Sequence, residues 1–135
     1  MSLRIGVLGG GQLGRMMALA GYPLNLSFSF YDRAENCPSA VLGKRFGDND
    51  YSAESLQNFI DSADVFTYEF ENIPTAWVTA IAAQKPVFPG VKSLAVSQNR
   101  LNEKQLFNEL KIPSARYHEI RFEADLSAAV AELGL

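Results

Sequence analysis

Two groups of residues in this 135-residue chain have the types and spacing for ligand chemistry. Gly9, Gly11 and Gly14 stand in G-x-G-x-x-G spacing, directly after the apolar run Ile5 to Leu8 and at the start of a helical pattern. Glycine tolerates positive φ and lets a ligand approach the backbone, while a helix N-terminus offers free N–H groups to an anion. Gln12, on the first helical turn, adds an amide that both donates and accepts hydrogen bonds. Asp32, closing the second apolar run, stands where a dinucleotide fold places its ribose-binding acid. This combination fits the dinucleotide-binding domain of an NAD- or FAD-dependent oxidoreductase. It fits equally well glycines that only permit a sharp strand-to-helix turn, beside an aspartate that merely ends a strand.

The second group is Glu69, Glu71 and Asn72, which follow the apolar run Val65 to Tyr68 and precede Pro74. In an open α/β sheet this is the carboxyl-edge crevice where ligands bind. A carboxylate there accepts hydrogen bonds from ligand hydroxyl or amino groups. If the strand persists, Phe70 points away and Glu69 and Glu71 share a face. The competing role is electrostatic, since acids ahead of a helix complement its dipole. No further His, Cys or acid cluster stands nearby, so no metal site is expected in this chain. His118 is read as a lone surface or packing histidine that no acid or thiol engages, and Cys37, without a C-x-x-C partner, as an inert thiol. Met16, Met17 and Trp77 are read as core, and Lys104 as a solvated helix-face residue.

The elements that must position these groups alternate between strand and helix. Ile5 to Leu8 is a buried strand, and the helix after it carries Leu13, Met16, Met17 and Ala20 until Gly21 and Pro23 end it. Leu26 to Tyr31 is a second strand. A short helix is expected around Ser39 to Leu42, and a minor strand at Arg45 and Phe46. Ser52 caps a helix with Leu56, Phe59, Ile60 and Ala63 on one face. Val65 to Tyr68 is a strand, Pro74 opens a helix with Trp77, Ala80 and Ile81 inward, and Pro86 to Phe88 is a short buried strand. Such alternation implies parallel strands joined by right-handed crossovers. Residues 1–98 are therefore an α/β domain, a Rossmann-like open parallel sheet with helices on both faces. Beyond it come a helix over Asn102 to Leu110, an extended stretch from Pro113 to Ile120, and a helix carrying Leu126, Ala129, Val130 and Leu133. One strand and one helix cannot bury both faces, so residues 99–135 read as a linker helix and the beginning of a second α+β domain.

Composition narrows the partners. Hydrophobic residues at 47% and charged residues at 20% mark a globular chain rather than a disordered one. A net charge of -3 leaves no basic footprint for nucleic acid. The single cysteine precludes an internal disulfide and suits a reducing compartment. The apolar run after Arg4 is too short for a signal core or a membrane span. The reading is a cytoplasmic, soluble protein with no membrane partner.

Three segments carry a more specific pattern: Gly9-Gly10-Gly11-Gln12-Leu13-Gly14-Arg15-Met16, then Tyr68-Glu69-Phe70-Glu71-Asn72-Ile73-Pro74, then Gln98-Asn99-Arg100-Leu101 with Glu103-Lys104, followed by Leu110 to Pro113. In order and spacing, across essentially the whole chain, they resemble the 5-(carboxyamino)imidazole ribonucleotide synthetases, ATP-grasp enzymes of purine biosynthesis. The resemblance implies an ATP-dependent carboxylase, a homodimer at full length, that forms carboxyphosphate from ATP and bicarbonate. The carboxyl group then passes to the exocyclic amine of 5-aminoimidazole ribonucleotide. It further implies that a pre-ATP-grasp domain holds part of the ribonucleotide through Gln12 and Leu13, with Glu69 accepting from the substrate and Glu71 as the runner-up. Arg100 matches an arginine that contacts ATP, a task suited to an always-charged, forked donor. The chain departs from the family in length. The lysine that grips ATP is expected just beyond Leu135, and the glycine-rich loop and Mg2+ carboxylates later still. Because that chemistry rests on phosphate positioning and charge neutralisation, no catalytic residue is expected here and the piece alone is expected to be inactive.

Overall fold

The alternating pattern folds as parallel strands crossed by helices. The computed structural model describes residues 2–47 and 52–134. Strands β1 (Leu3–Leu8), β2 (Leu26–Tyr31), β3 (Lys44–Phe46) and β4 (Val65–Tyr68) pair in parallel in the order β3-β2-β1-β4. Pro86 to Phe88 contributes only a single bridge, Val87 to Phe66. Pro86 has no N–H to donate and a second proline follows at 89, so the ladder stops after one step.

Adjacent strand residues feed opposite faces. Leu8 and Tyr31 join Phe59 and Ile60 of α2 (Ala53–Asp61), Val78 and Ile81 of α3 (Thr75–Ala82) and Leu94 of α4 (Val91–Ser97). Val7, Phe28 and Phe30 pack on the other side against Ala18 of α1 (Gln12–Gly21). The open sheet with helices on both faces is thus as expected, α4 being an addition. Ser52 caps α2 by accepting from the Ser55 N–H at 3.1 Å. On α3 Val78 and the expected Ile81 are fully buried, while Trp77 is half-buried and packs edge-on to Tyr31 at 5.3 Å.

Two local expectations fail for physical reasons. Helix α1 faces the sheet with Gly14, Ala18 and Gly21, leaving Leu13 and Met16 54% and 55% exposed. A Cβ on Gly21 would stand 2.5 Å from the Phe28 ring, so the helix lies too close to β2 for large side chains. Residues 39–42 form successive turns, Ala40 N–H to Cys37 O and Leu42 N–H to Ser39 O, instead of a helix.

By contact the chain divides into one unit ending at Ala95 and another starting at Val96. In the second unit, Asn99 Oδ1 accepts from the Leu101 and Asn102 amides at 2.9 and 3.3 Å, which starts α5 (Arg100–Glu109) two residues before the expected Asn102. Helix α6 (Asp125–Leu133) ends at Gly134 with φ 79°. Residues 113–120, expected to be extended, belong to no helix or strand and have no ladder partner among the described residues.

One ion pair fastens the entry of β1 to the entry of β4. The Arg4 backbone N–H and Nε both donate to Asp64 Oδ2 at 3.1 Å, and Nη2 donates to Oδ1 at 2.5 Å. The Arg4 side-chain hydrogen bond, then its backbone N–H, hold the Asp64 carboxyl down at about 2. A carboxyl depressed by folding stabilises the native state above its unfolded pKa of about 3.9, and that contribution is lost as pH falls through the folded value. Urea midpoints followed from pH 5 down to about pH 2 should therefore fall less steeply for Asp64→Asn than for wild type. Parallel curves would show that the pair contributes nothing.

Candidate functional site

The register of the sheet assembles the site. Leu8 of β1 pairs with Tyr31 of β2 on one side and with Tyr68 of β4 on the other. The next residue of each strand, Gly9, Asp32 and Glu69, therefore leaves the sheet at one carboxyl edge, with the glycine turn in the middle. Both acids bend into that turn. Gly10 N–H donates to Asp32 Oδ2 at 2.9 Å, Gly11 N–H to Glu69 Oε1 at 2.8 Å, and Gly14 N–H to Glu69 Oε2 at 2.5 Å. Ser39, fully buried, braces the turn from behind by donating its N–H and Oγ–H to Gly10 O at 3.0 and 2.9 Å.

This arrangement satisfies α1 from elsewhere in the chain. Gly11 at the N-cap has no side chain to offer, and Glu69 supplies both acceptors and a negative charge at the positive end of the helix. Among the described residues, none accepts from the amides of Gln12 and Leu13. Those two donors, with the exposed Gln12 and Leu13 side chains, form the open part of the rim next to Glu69.

The glycine spacing has an internal cause. A Cβ on Gly11 would lie 2.6 Å from Glu69 Oε1, and one on Gly9, where φ is 102°, would lie 2.5 Å from Glu69 Cγ. On Gly10 it would meet Cys37 Sγ at 2.6 Å. The room expected for a ligand is taken by the protein's own side chains.

Gln12, Leu13 and Glu69 are thus brought to one rim, and other candidates are not. The strand ends at Tyr68, so Glu71 sits in an exposed bend and does not share a face with Glu69. Asp32 places one oxygen on the Gly10 N–H and the other on the Ala34 N–H at 2.9 Å, so it too is bonded to its own backbone. Beside Gly9, a cleft of about 240 Å³ runs between Asp32–Arg33 and Phe70, Asn72 and Trp77. Arg100 belongs to the second unit, where it opens α5, pairs with Glu103 and lines a hollow of about 180 Å³ with Lys104, Tyr117 and His118. His118 is not without an acid, since its Nδ1 lies 2.5 Å from Glu132. Lys104 donates to Ala115 O at 3.1 Å, so it ties α5 to the extended stretch. The described residues contain no cluster of three potential metal ligands and no helix long and apolar enough to cross a membrane. Sequence reasoning missed Ser39 and the packing of Cys37 on Gly10, since neither spacing nor residue type signals them.

Residues 2–98 match the ribonucleotide synthetase pre-ATP-grasp domain family. The N5-carboxyaminoimidazole ribonucleotide synthase of Pseudomonas aeruginosa is 41% identical over 133 residues, which is 98% of this chain and 37% of that protein. The crystal structure of N5-carboxyaminoimidazole ribonucleotide synthetase from Thermus thermophilus superposes with a TM-score of 0.90 at 39% identity, covering 97% of this chain and 36% of that one. The Aspergillus clavatus N5-carboxyaminoimidazole synthase, solved in complex with ADP and 5-aminoimidazole ribonucleotide, gives a TM-score of 0.86 at 28% identity over 98% of this chain and 36% of its own. The chain spans just over a third of the length of these relatives.

The crowding of the turn by Glu69 is open to a double-mutant cycle. Gly11→Ala should cost about 1–3 kcal/mol of unfolding free energy in wild type, through overpacking against Oε1. Most of that cost should vanish in a Glu69→Ala background. Additive penalties in urea titrations would mean that the two residues do not meet.

Proposed function

This chain belongs to the ribonucleotide synthetase family whose pre-ATP-grasp domain matches residues 2–98, and from that premise we propose that it holds 5-aminoimidazole ribonucleotide for ATP-dependent carboxylation in purine biosynthesis. The observation that carries the reading is the rim itself, where Glu69 lies beside the open donors of Gln12 and Leu13. Each carboxylate oxygen of Glu69 accepts one turn amide and keeps a lone pair. The residue is half-buried, so a ligand can reach it. The exocyclic amine of the ribonucleotide donates to Glu69, and the Gln12 and Leu13 groups accept and donate around the sugar. Glu71 is second in line for the amine, being exposed beyond the strand end. The Aspergillus relative, solved with ADP and this ribonucleotide, supports the substrate class.

In the whole protein, ATP supplies the phosphoryl group that activates bicarbonate. Residues 1–98 act as the pre-ATP-grasp domain and residues 99–135 open the ATP-grasp domain. Arg100 serves the nucleotide phosphates; its exposed partnership with Glu103 is weak enough to exchange for them. The phosphate-gripping lysine, the glycine-rich loop and the carboxylates for Mg2+ belong to the part of the relatives that this chain does not span. Orientation of the amine by Glu69 would bring one reactant into place, which lowers the entropic barrier without supplying a catalytic group. In the whole protein the setting is the cytoplasm and the state a homodimer, and the exposed Met16 and Leu19 of α1 supply apolar surface for such association.

Calorimetric titration of 5-aminoimidazole ribonucleotide tests the reading. Wild type should bind weakly, and Glu69→Ala and Gln12→Ala should each weaken binding about tenfold, the loss of one hydrogen bond to a charged or amide group. Equal affinity in wild type and Glu69→Ala would remove Glu69 from the ribonucleotide site.

A further inference from the structure

We infer that Glu69 is a specificity-determining residue that closes the glycine turn to phosphate groups. A glycine turn ahead of a helix ordinarily forms an anion seat from its backbone amides. Here three of those amides are already bonded to carboxylates, Gly10 to Asp32 and Gly11 and Gly14 to Glu69. The seat is therefore filled by an anion that belongs to the chain, and its two negative charges face any phosphate that approaches.

The side chains pack closely on the turn: Glu69 Cγ and Oε1 lie 2.5 and 2.6 Å from where β-carbons on Gly9 and Gly11 would stand, and Asp32 Cβ would be 2.9 Å from one on Gly10. The carboxylates seated on the Gly10, Gly11 and Gly14 amides are complementary to neutral or cationic donors, such as a hydroxyl or an amine, and not to a phosphate ester or a pyrophosphate. Rejection by an unfavourable charge is a recognised source of selectivity. A sequence spacing shared with dinucleotide-binding turns is thereby denied the dinucleotide. A phosphorylated ligand at this rim must carry its phosphoryl group away from the Gly11 and Gly14 amides. The inference concerns what the turn excludes, so it stands whether or not the ribonucleotide is the ligand.

The test uses the full chain and inorganic pyrophosphate at low ionic strength. Calorimetry should find no saturable binding to wild type, while Glu69→Ala and Glu69→Gln should each bind at least tenfold more tightly, with an affinity that falls as salt is added. Amide spectra establish that each variant is folded. Unchanged binding in a folded variant overturns the inference. A measurement on wild type keeps the test independent of variant folding: Gly11 and Gly14 amide resonances should stay fixed as pyrophosphate is added, and movement of both would show an open seat. Loss of ribonucleotide binding with these results intact would sink only the proposed substrate.

Discussion

The two oxygens of Glu69 hold the amides of Gly11 and Gly14, so a residue that follows β4 becomes the cap of a helix that follows β1. The contact joins positions 58 and 55 residues apart, and it exists only because β1 lies between β2 and β4 in register. Hydrogen bonds to a charged group contribute roughly 1.5–3 kcal/mol each, whereas solvent screens an exposed pair such as Arg4 and Asp64. The rim is therefore fixed more firmly by Glu69 than the opposite edge is by its salt bridge. The absence of side chains at Gly9 and Gly11 follows from the same contact, since any Cβ there would displace the carboxylate.

With the turn electrostatically satisfied, its remaining chemistry is mixed and modest. The open groups are the amides of Gln12 and Leu13, the Gln12 side chain and the outer lone pairs of Glu69. Such a set suits the hydroxyls and amine of an aminoribonucleotide better than the diphosphate of a dinucleotide.

The order of strands and helices was legible from alternating apolar runs, because each run in a parallel sheet is buried on both faces. The strand over Leu26–Tyr31, the cap at Ser52 and the final Gly134 stand where local chemistry put them. The inward face of α1 was not legible. Apolar periodicity favours Leu13 and Met16, whereas close approach to Phe28 selects Gly14, Ala18 and Gly21, and that distance is a tertiary quantity. At the site, the residue types were visible but their partners were not. Glu69 and Asp32 read as acids facing a ligand because strand order, which turns both toward the glycines, is absent from local pattern.

A through-hydrogen-bond scalar coupling between the Gly11 and Gly14 amide nitrogens and the Glu69 side-chain carboxyl carbon tests the central contact most directly. Couplings from both amides to that one carbon, in the full chain at neutral pH, are the result expected of a carboxylate seated in the turn. Sharp, solvent-exchanging Gly11 and Gly14 amides with no coupling to Glu69 would contradict it.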